Sequence, residues 1–329
     1  SLLIKLRGLG HLATERPLEM LEKKIINQDN FTKLEKVTKC PCCLSDENTE
    51  LLKLDNDKKI KQFKEYSRIY YSDLLNDLDK NMIVLSRCLN CDHLYYKYQP
   101  SDEFLSKMYQ IREYKKKENI NKNINASKKK NKKFSKILKK ISSINNGKKL
   151  FDFGAGDGSL QSKCEDFDID YYGFEPIESR NNKIDNKKNF SDFQVVKNKN
   201  LKFDIVVINQ VLEHLKDPLN IMNNIHSICH NKTIIYISVP NINRCKEKSR
   251  LLNSWPYDEE FGHHTLAPFQ HLQGFNTKSL ILLMRNSNFE VSKSIKTLLH
   301  ANIDIFRILI GLFFKKISTT DILFVKKRL

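Results

Sequence analysis

Two cysteine pairs, a glycine-rich turn and a few histidines hold most of the chemistry these residue types can supply. Cys40-Pro-Cys42-Cys43 and Cys88-Leu-Asn-Cys91 each contain a CxxC spacing, with 44 residues between the pairs. Two residues between thiols let one tight turn aim both sulfurs at one point. Two such turns supply the four thiolates of a tetrahedral zinc. Cys40, Cys43, Cys88 and Cys91 are the expected ligands, the site is closed and structural, and Cys42 is a spare. Disulfide bonding is the competing chemistry, and an intracellular redox environment disfavours it. Cys164, Cys229 and Cys245 are scattered and read as core or incidental thiols.

Further along, Phe151-Asp152-Phe153-Gly154-Ala155-Gly156-Asp157-Gly158 sets glycines at alternate positions. Glycines there let the backbone turn sharply and approach a ligand with no Cβ in the way. The spacing is GxGxG, whereas a dinucleotide site shows GxGxxG. Asp152 suits the ammonium of a cofactor that carries an amino acid, and would be unhelpful beside a pyrophosphate. Glu175, 17 residues after Gly158, ends the following strand, where a carboxylate can accept both hydroxyls of a ribose. A base that works near neutral pH favours histidine. His214, with Glu213 beside it, follows one strongly apolar strand; His263, His264 and His271 follow the next. His214 is the first choice and His271 the second. The plainer reading of His214 is a hydrogen-bonded structural histidine.

These groups need a frame to hold them. Strands are expected at 149–153, 171–175, 193–196, 203–208, 233–239, 289–295 and 322–326. Helices are expected from about Gly158, after Pro176, and over 218–228 and 277–285. Alternation of this kind predicts an α/β fold, a parallel sheet with helices on both faces. Ahead of it lie an extension (1–36, with one helix at 17–26), a cysteine module (37–100, with a helix inserted at about 58–78) and a basic helical linker (101–148). The apolar residues Phe134, Ile137, Leu138 and Ile141 have helical spacing and should pack onto the next domain (149–329). The long stretch 241–275, with Trp255, Pro256 and Tyr257, reads as a lid or acceptor site. The apolar segment 305–314 reads as a helix on the sheet or a dimer partner before a membrane-surface anchor.

Apolar residues make up 40% of the chain, enough for a real core. No apolar run reaches the roughly 18 residues of a membrane span, and residues 2–6 are too short for a secretory signal. A cytoplasmic protein without a transmembrane segment is expected. Net charge is +18, and between Glu113 and Lys149 there are 14 lysines against two glutamates. Most of the excess therefore sits in one stretch, which reads as a solvated linker first and a polyanion-binding patch second.

From 149 to 326 the motifs DFGAGDG, YYGFEP, FDIVVINQVLEHLKDP, ISVPN and DILFVKK occur in an order that resembles the class I S-adenosylmethionine-dependent methyltransferases. The resemblance implies a Rossmann-like seven-stranded sheet whose last strand is antiparallel. S-adenosylmethionine would lie across the carboxyl ends of the first two strands. It further implies that Asp152, Gly154, Ala155, Gly156, Gly158 and Glu175 hold this cofactor, with Asn209 and Gln210 beside its methionine portion. Such enzymes often carry an acid after the third strand for the adenine amine. Lys197-Asn198-Lys199 offers none, and Asp192 falls before the expected strand. Gln210 replaces the first acid of the Glu-x-x-Glu-His metal motif of ubiquinone-pathway O-methyltransferases, which argues against a catalytic magnesium. The cysteine module, followed by Leu94-Tyr95-Tyr96 and PSDEFLSKMY, resembles the zinc-binding region ahead of some bacterial methyltransferases, sugar C-methyltransferases among them. APFQHLQGFNTKSL resembles the segment before the sixth strand of the same group. The implied acceptor is a small molecule or glycan precursor, with a nucleotide-linked sugar as the leading class. Nucleic acid, as RNA methylation, is the runner-up; a non-catalytic binding protein comes third. The oligomeric state is left open.

Overall fold

The computed structural model describes residues 34–71, 74–76, 78–118, 135, 138–139, 141, 147–177, 188–242, 253–257, 265–291 and 319–326. The expected helices at 17–26 and after Pro176, most of the basic stretch, Cys245, His263, His264 and the segment 305–314 lie outside the described residues. Among the described residues, no helix is long and apolar enough to cross a membrane.

The cysteine segment is a small antiparallel unit. Strand β1 (Leu34–Lys36) pairs with β5 (Tyr98–Pro100), while β2 (Asn48–Lys53), β3 (Val84–Cys88) and β4 (Leu94–Tyr96) form a second sheet. Helix α1 (Asp57–Tyr71) is the expected insertion, and it stops at Tyr71 rather than near 78. It starts where the Asn56 side-chain oxygen (Oδ1) accepts from the Lys59 amide at 3.0 Å and caps the first turn, and it buries Phe63, Tyr66 and Tyr71. Helix α2 (Asp102–Glu118) begins with Asp102 and Glu103, which complement the positive end of the helix. It buries Phe104, Met108 and Ile111, at the spacing of one helical face.

The sheet of this unit gains a fourth strand from far along the chain: β11 (Gln273–Gly274) pairs with β4. The stretch leading to β11 lies over the unit. Trp255 is fully buried and donates to the Tyr96 hydroxyl at 2.8 Å, which donates to the Leu266 carbonyl at 2.6 Å. Tyr66 donates to the Pro268 carbonyl at 2.9 Å. Each large side chain buried there contributes roughly 1.5–3 kcal/mol relative to exposure, so the cysteine segment and this loop share one core.

The second region is a seven-stranded sheet built from β6 (Lys149–Phe153), β7 (Asp170–Phe174), β8 (Asn189–Phe190), β9 (Phe203–Asn209), β10 (Cys229–Pro240), β12 (Phe289–Val291) and β13 (Thr319–Lys326). Their order is β12-β13-β10-β9-β6-β7-β8. β6 to β10 run parallel, and β13 is antiparallel to both β10 and β12. The α/β sheet implied by the motif order is therefore present. Its central strands are buried on both faces. Phe151 and Phe153 enter one apolar cluster while Leu150 enters the other, together with Leu138 and Ile141.

One expected element is wrong. Residues 193–196 are not the third strand but part of a helix, α4 (Phe193–Asn198), and the strand is the short β8 before it. Val195-Val196 suggested a strand, but the Asp192 carboxylate accepts from the Gln194 amide at 2.8 Å and caps a helix that buries Val196 and leaves Val195 exposed. Local capping outweighs β-branching here. The helix after the glycine turn is also short, α3 (Gln161–Glu165). Helices α5 (Pro218–Ser227), capped by Asp217, and α6 (Thr277–Asn286), with an Asn276/Ser279 capping box, start as their sequences demand.

Candidate functional site

The glycine turn leaves β6 with positive φ at Gly154 (+82°), Gly156 (+58°) and Gly158 (+69°). Gly154 and Ala155 donate their amides to the Phe174 carbonyl at 2.8 and 2.9 Å, so the turn is tied to the end of β7. The glycines serve different ends. A Cβ on Gly154 would come within 2.4 Å of Val211, so Gly154 allows the turn to pack against the chain after β9. A Cβ on Gly156 would meet nothing within 4 Å, so that position faces open space, as a ligand cradle requires.

Glu175 is 3% exposed and anchored from two sides. Its carboxylate accepts from the Gly156 amide at 2.9 Å and from the Ile177 amide at 3.1 Å. Asp152 is buried and accepts from the Tyr171 hydroxyl at 3.0 Å; burial and the neighbouring Asp152 push the Tyr171 phenol well up. Asn209 ends β9, and its buried side-chain oxygen has no hydrogen-bond partner among the described residues. Gln210 (φ +58°) donates its backbone and side-chain N–H groups to Ser238. The sheet thus gathers the candidates from 152–158, 175 and 209–210 at the carboxyl ends of β6, β7 and β9. The revised third strand also puts Asp192 after β8, where the sequence had offered no acid. The Asp-Phe-Gln-Val capping pattern was the signal for it.

A second group lies beyond β9. Residues Leu212–His214 form one turn of 3-10 helix. His214 Nδ1 is 2.5 Å from the Gln270 carbonyl oxygen, and His271 Nδ1 is 2.6 Å from that of Thr265. A carbonyl only accepts, so each Nδ1 carries a proton, and in its neutral form each ring keeps its lone pair on Nε2. The two rings lie 4.7 Å apart between centroids. One ligating atom from each of Glu213, His214 and His271 falls within 4.8 Å of the others. Glu213 is 1% exposed, and neither carboxyl oxygen finds a hydrogen-bond partner among the described residues. Burial pushes its pKa up to about 8.

Two residues of this group carried no signal in the sequence. On α2, the Tyr109 ring meets His214 edge-on at 6.1 Å. Arg112, one turn on, reaches Gln270: with the amide oriented to match its donors, the Gln270 side-chain oxygen accepts from both terminal guanidinium nitrogens at 2.9 and 2.8 Å.

The four predicted cysteines come together. Cys40 and Cys91 sulfurs are 3.6 Å apart, Cys43 and Cys88 sulfurs 3.5 Å, and all four lie within 4.8 Å of one another. Zn–S bonds of about 2.3 Å in a tetrahedron put sulfurs about 3.8 Å apart, so the set fits one such ion. Both turns have the same shape. Leu44 (φ +62°) and Asp92 (φ +59°) return their amides to the Cys40 and Cys88 carbonyls at 2.9 and 3.0 Å. Cys42 is buried outside the set, with its thiol pushed well up by burial. The sheet domain holds the turns from outside: Asn276 donates to the Cys91 and Asp92 carbonyls at 3.2 and 2.8 Å, and Asn286 to that of Cys42 at 3.0 Å.

A family model described as "Methyltransferase domain" matches residues 126–294, just over half of the chain. No curated protein matches it. Solved structures with a similar fold include a SAM-dependent methyltransferase from Archaeoglobus fulgidus (16% identity, TM-score 0.40, 59% of this chain and 92% of that one). Another is the plantazolicin methyltransferase BpumL (14% identity, TM-score 0.48, 68% and 95%). A third is magnesium protoporphyrin IX methyltransferase from Synechocystis (12% identity, TM-score 0.41, 60% and 83%).

Proposed function

The chain belongs to the methyltransferase-domain family and is an S-adenosylmethionine-dependent methyltransferase; from that premise we propose that it methylates a small molecule or glycan precursor, with a nucleotide-linked sugar as the favoured acceptor. The observation that carries the cofactor assignment is the glycine turn hydrogen-bonded to a buried Glu175, with Gly156 facing open space. When bound, S-adenosylmethionine supplies an electrophilic methyl group on a sulfonium. Glu175 would accept the ribose hydroxyls, Asp152 would face the ammonium end, and Asn209 and Gln210 would flank the methionine portion. The backbone of Gly154, Ala155, Gly156 and Gly158 forms the floor, and Asp192 serves the adenine amine.

On the acceptor side, His214 Nε2 takes the proton released as the acceptor atom bonds to carbon. Its Nδ1–H bond to Gln270 fixes the tautomer this requires. His271 is the second candidate, and neutral Glu213 is a hydrogen-bond donor beside them. Cys40, Cys43, Cys88 and Cys91 hold one structural zinc and take no part in the transfer. Such a thiolate set suits a reducing compartment, so the proposal includes a cytoplasmic location.

Calorimetry should detect cofactor binding that Gly156→Arg abolishes and that Glu175→Ala weakens by ~1–3 kcal/mol. A wild-type protein that binds neither S-adenosylmethionine nor its demethylated product would overturn the assignment. A panel of nucleotide sugars and tRNA, assayed for methyl transfer, tests the acceptor class.

A further inference from the structure

We propose that Arg112 is the anion-recognition residue of the acceptor site, so that the acceptor carries a phosphate or carboxylate group. This deepens the transferase reading above and rests on it. The position of Arg112 is set by two contacts that converge on His214. Tyr109, one helical turn earlier, touches the His214 ring, and Gln270 joins Arg112 through its side chain to His214 through its carbonyl. The guanidinium therefore stands one residue away from the group proposed to take the acceptor proton.

Arg112 is half-buried, and no carboxylate pairs with it among the described residues. Its neighbours there are a neutral amide and the phenols of Tyr66, Tyr70 and Tyr71. The acid beside His214 does not serve either: neither Glu213 carboxyl oxygen has a hydrogen-bond partner among the described residues. A guanidinium has five N–H donors in a rigid fork. Gln270 takes two and Tyr71 one, which leaves donors for another acceptor. A partly desolvated cation with no carboxylate partner among the described residues, and with unused donors beside a reactive group, is the arrangement that selects an anionic ligand.

The test uses full-length protein saturated with S-adenosylhomocysteine, so that the glycine turn is occupied and cannot bind the probe. Pyrophosphate and malonate are titrated in separately by calorimetry. Wild-type protein should bind at least one of them, and the tighter of the two identifies the anion as phosphate or carboxylate. Arg112→Gln should weaken that binding about 10- to 100-fold, as expected for a charge-assisted bidentate contact. Arg112→Lys, which keeps the charge and loses the fork, should fall between. Both variants should keep wild-type affinity for S-adenosylhomocysteine. Failure of the wild type to bind either anion overturns the proposal, as does wild-type anion binding by Arg112→Gln. If Arg112→Gln does not fold, wild-type anion binding by Arg112→Lys overturns it instead. Failure of the wild type to bind S-adenosylhomocysteine would strike the transferase reading itself.

Discussion

The glycine-turn region proposed to hold the cofactor and the histidine region proposed to hold the acceptor, the cofactor half and the acceptor half, are built in opposite ways. The cofactor half is nearly contiguous: Asp152, the glycine turn and Glu175 lie on two adjacent strands, joined by backbone hydrogen bonds. The acceptor half is assembled from α2, the turn after β9 and the stretch before β11, and it sits against the cysteine segment through β11 and the Trp255–Tyr96 contact. One is a local feature that any correctly folded sheet will display. The other exists only while distant parts of the chain stay docked. Damage to the cysteine segment should therefore silence the acceptor half and spare cofactor binding.

Cys88→Ser offers the largest test of this difference. Removing one thiolate from a four-sulfur site should release the metal; structural zinc is worth on the order of 10–16 kcal/mol in finger peptides. The turns that Asn276 and Asn286 hold would then lose their shape, and β11 its partner. Elemental analysis should find about one zinc per chain in the wild type and in Cys42→Ser, and much less in Cys88→Ser. Turnover should be lost while affinity for S-adenosylhomocysteine stays within a few-fold. A parallel loss of cofactor affinity would show that the two halves are not separable.

His214→Ala sharpens the comparison inside an intact fold. Loss of a general base lowers turnover about 10²–10⁴-fold and leaves ground-state cofactor affinity alone. His271→Ala should have a smaller effect. If His214→Ala lowers only the melting temperature, the ring's role is its bond to Gln270 and the acceptor proton leaves by another route.

The two halves also differ in how far the sequence discloses them. DFGAGDG and the acid after the next strand can be read directly, because turn chemistry and spacing are local and the structure adds only the division of labour between Gly154 and Gly156. The four clustered cysteines are legible for the same reason. The third strand is expected too late because Val195-Val196 reads more strongly than the Asp192 cap, which sets Asp192 before that strand instead of after it. Gln273–Gly274 has no strand signature at two residues long; only its distant partner Leu94-Tyr95 makes it one. Tyr109 and Arg112 read as ordinary positions on a basic helix until the fold brings His214 and Gln270 against them.

Glu213 provides the smallest and most local test, because its ionisation reports whether the acceptor half is dry. Burial raises its pKa from the ordinary value of 4.5 to about 8 in the folded protein. Between those values the folded chain holds a proton that the unfolded chain has lost. Stability must therefore fall as pH rises through this window, by at most ~1.4 kcal/mol per pH unit. Below it both states are protonated and above it both are ionised, so the slope vanishes on either side. Glu213→Gln has nearly the same shape and cannot ionise, so it should remove this contribution. Urea unfolding at pH 5, 6, 7 and 8 should show the variant gaining on the wild type with each step, with little advantage at pH 5. Equal pH slopes for variant and wild type would mean that Glu213 is already ionised, with a protonated histidine as its partner. His214 could not then be the neutral base that the proposed transfer needs.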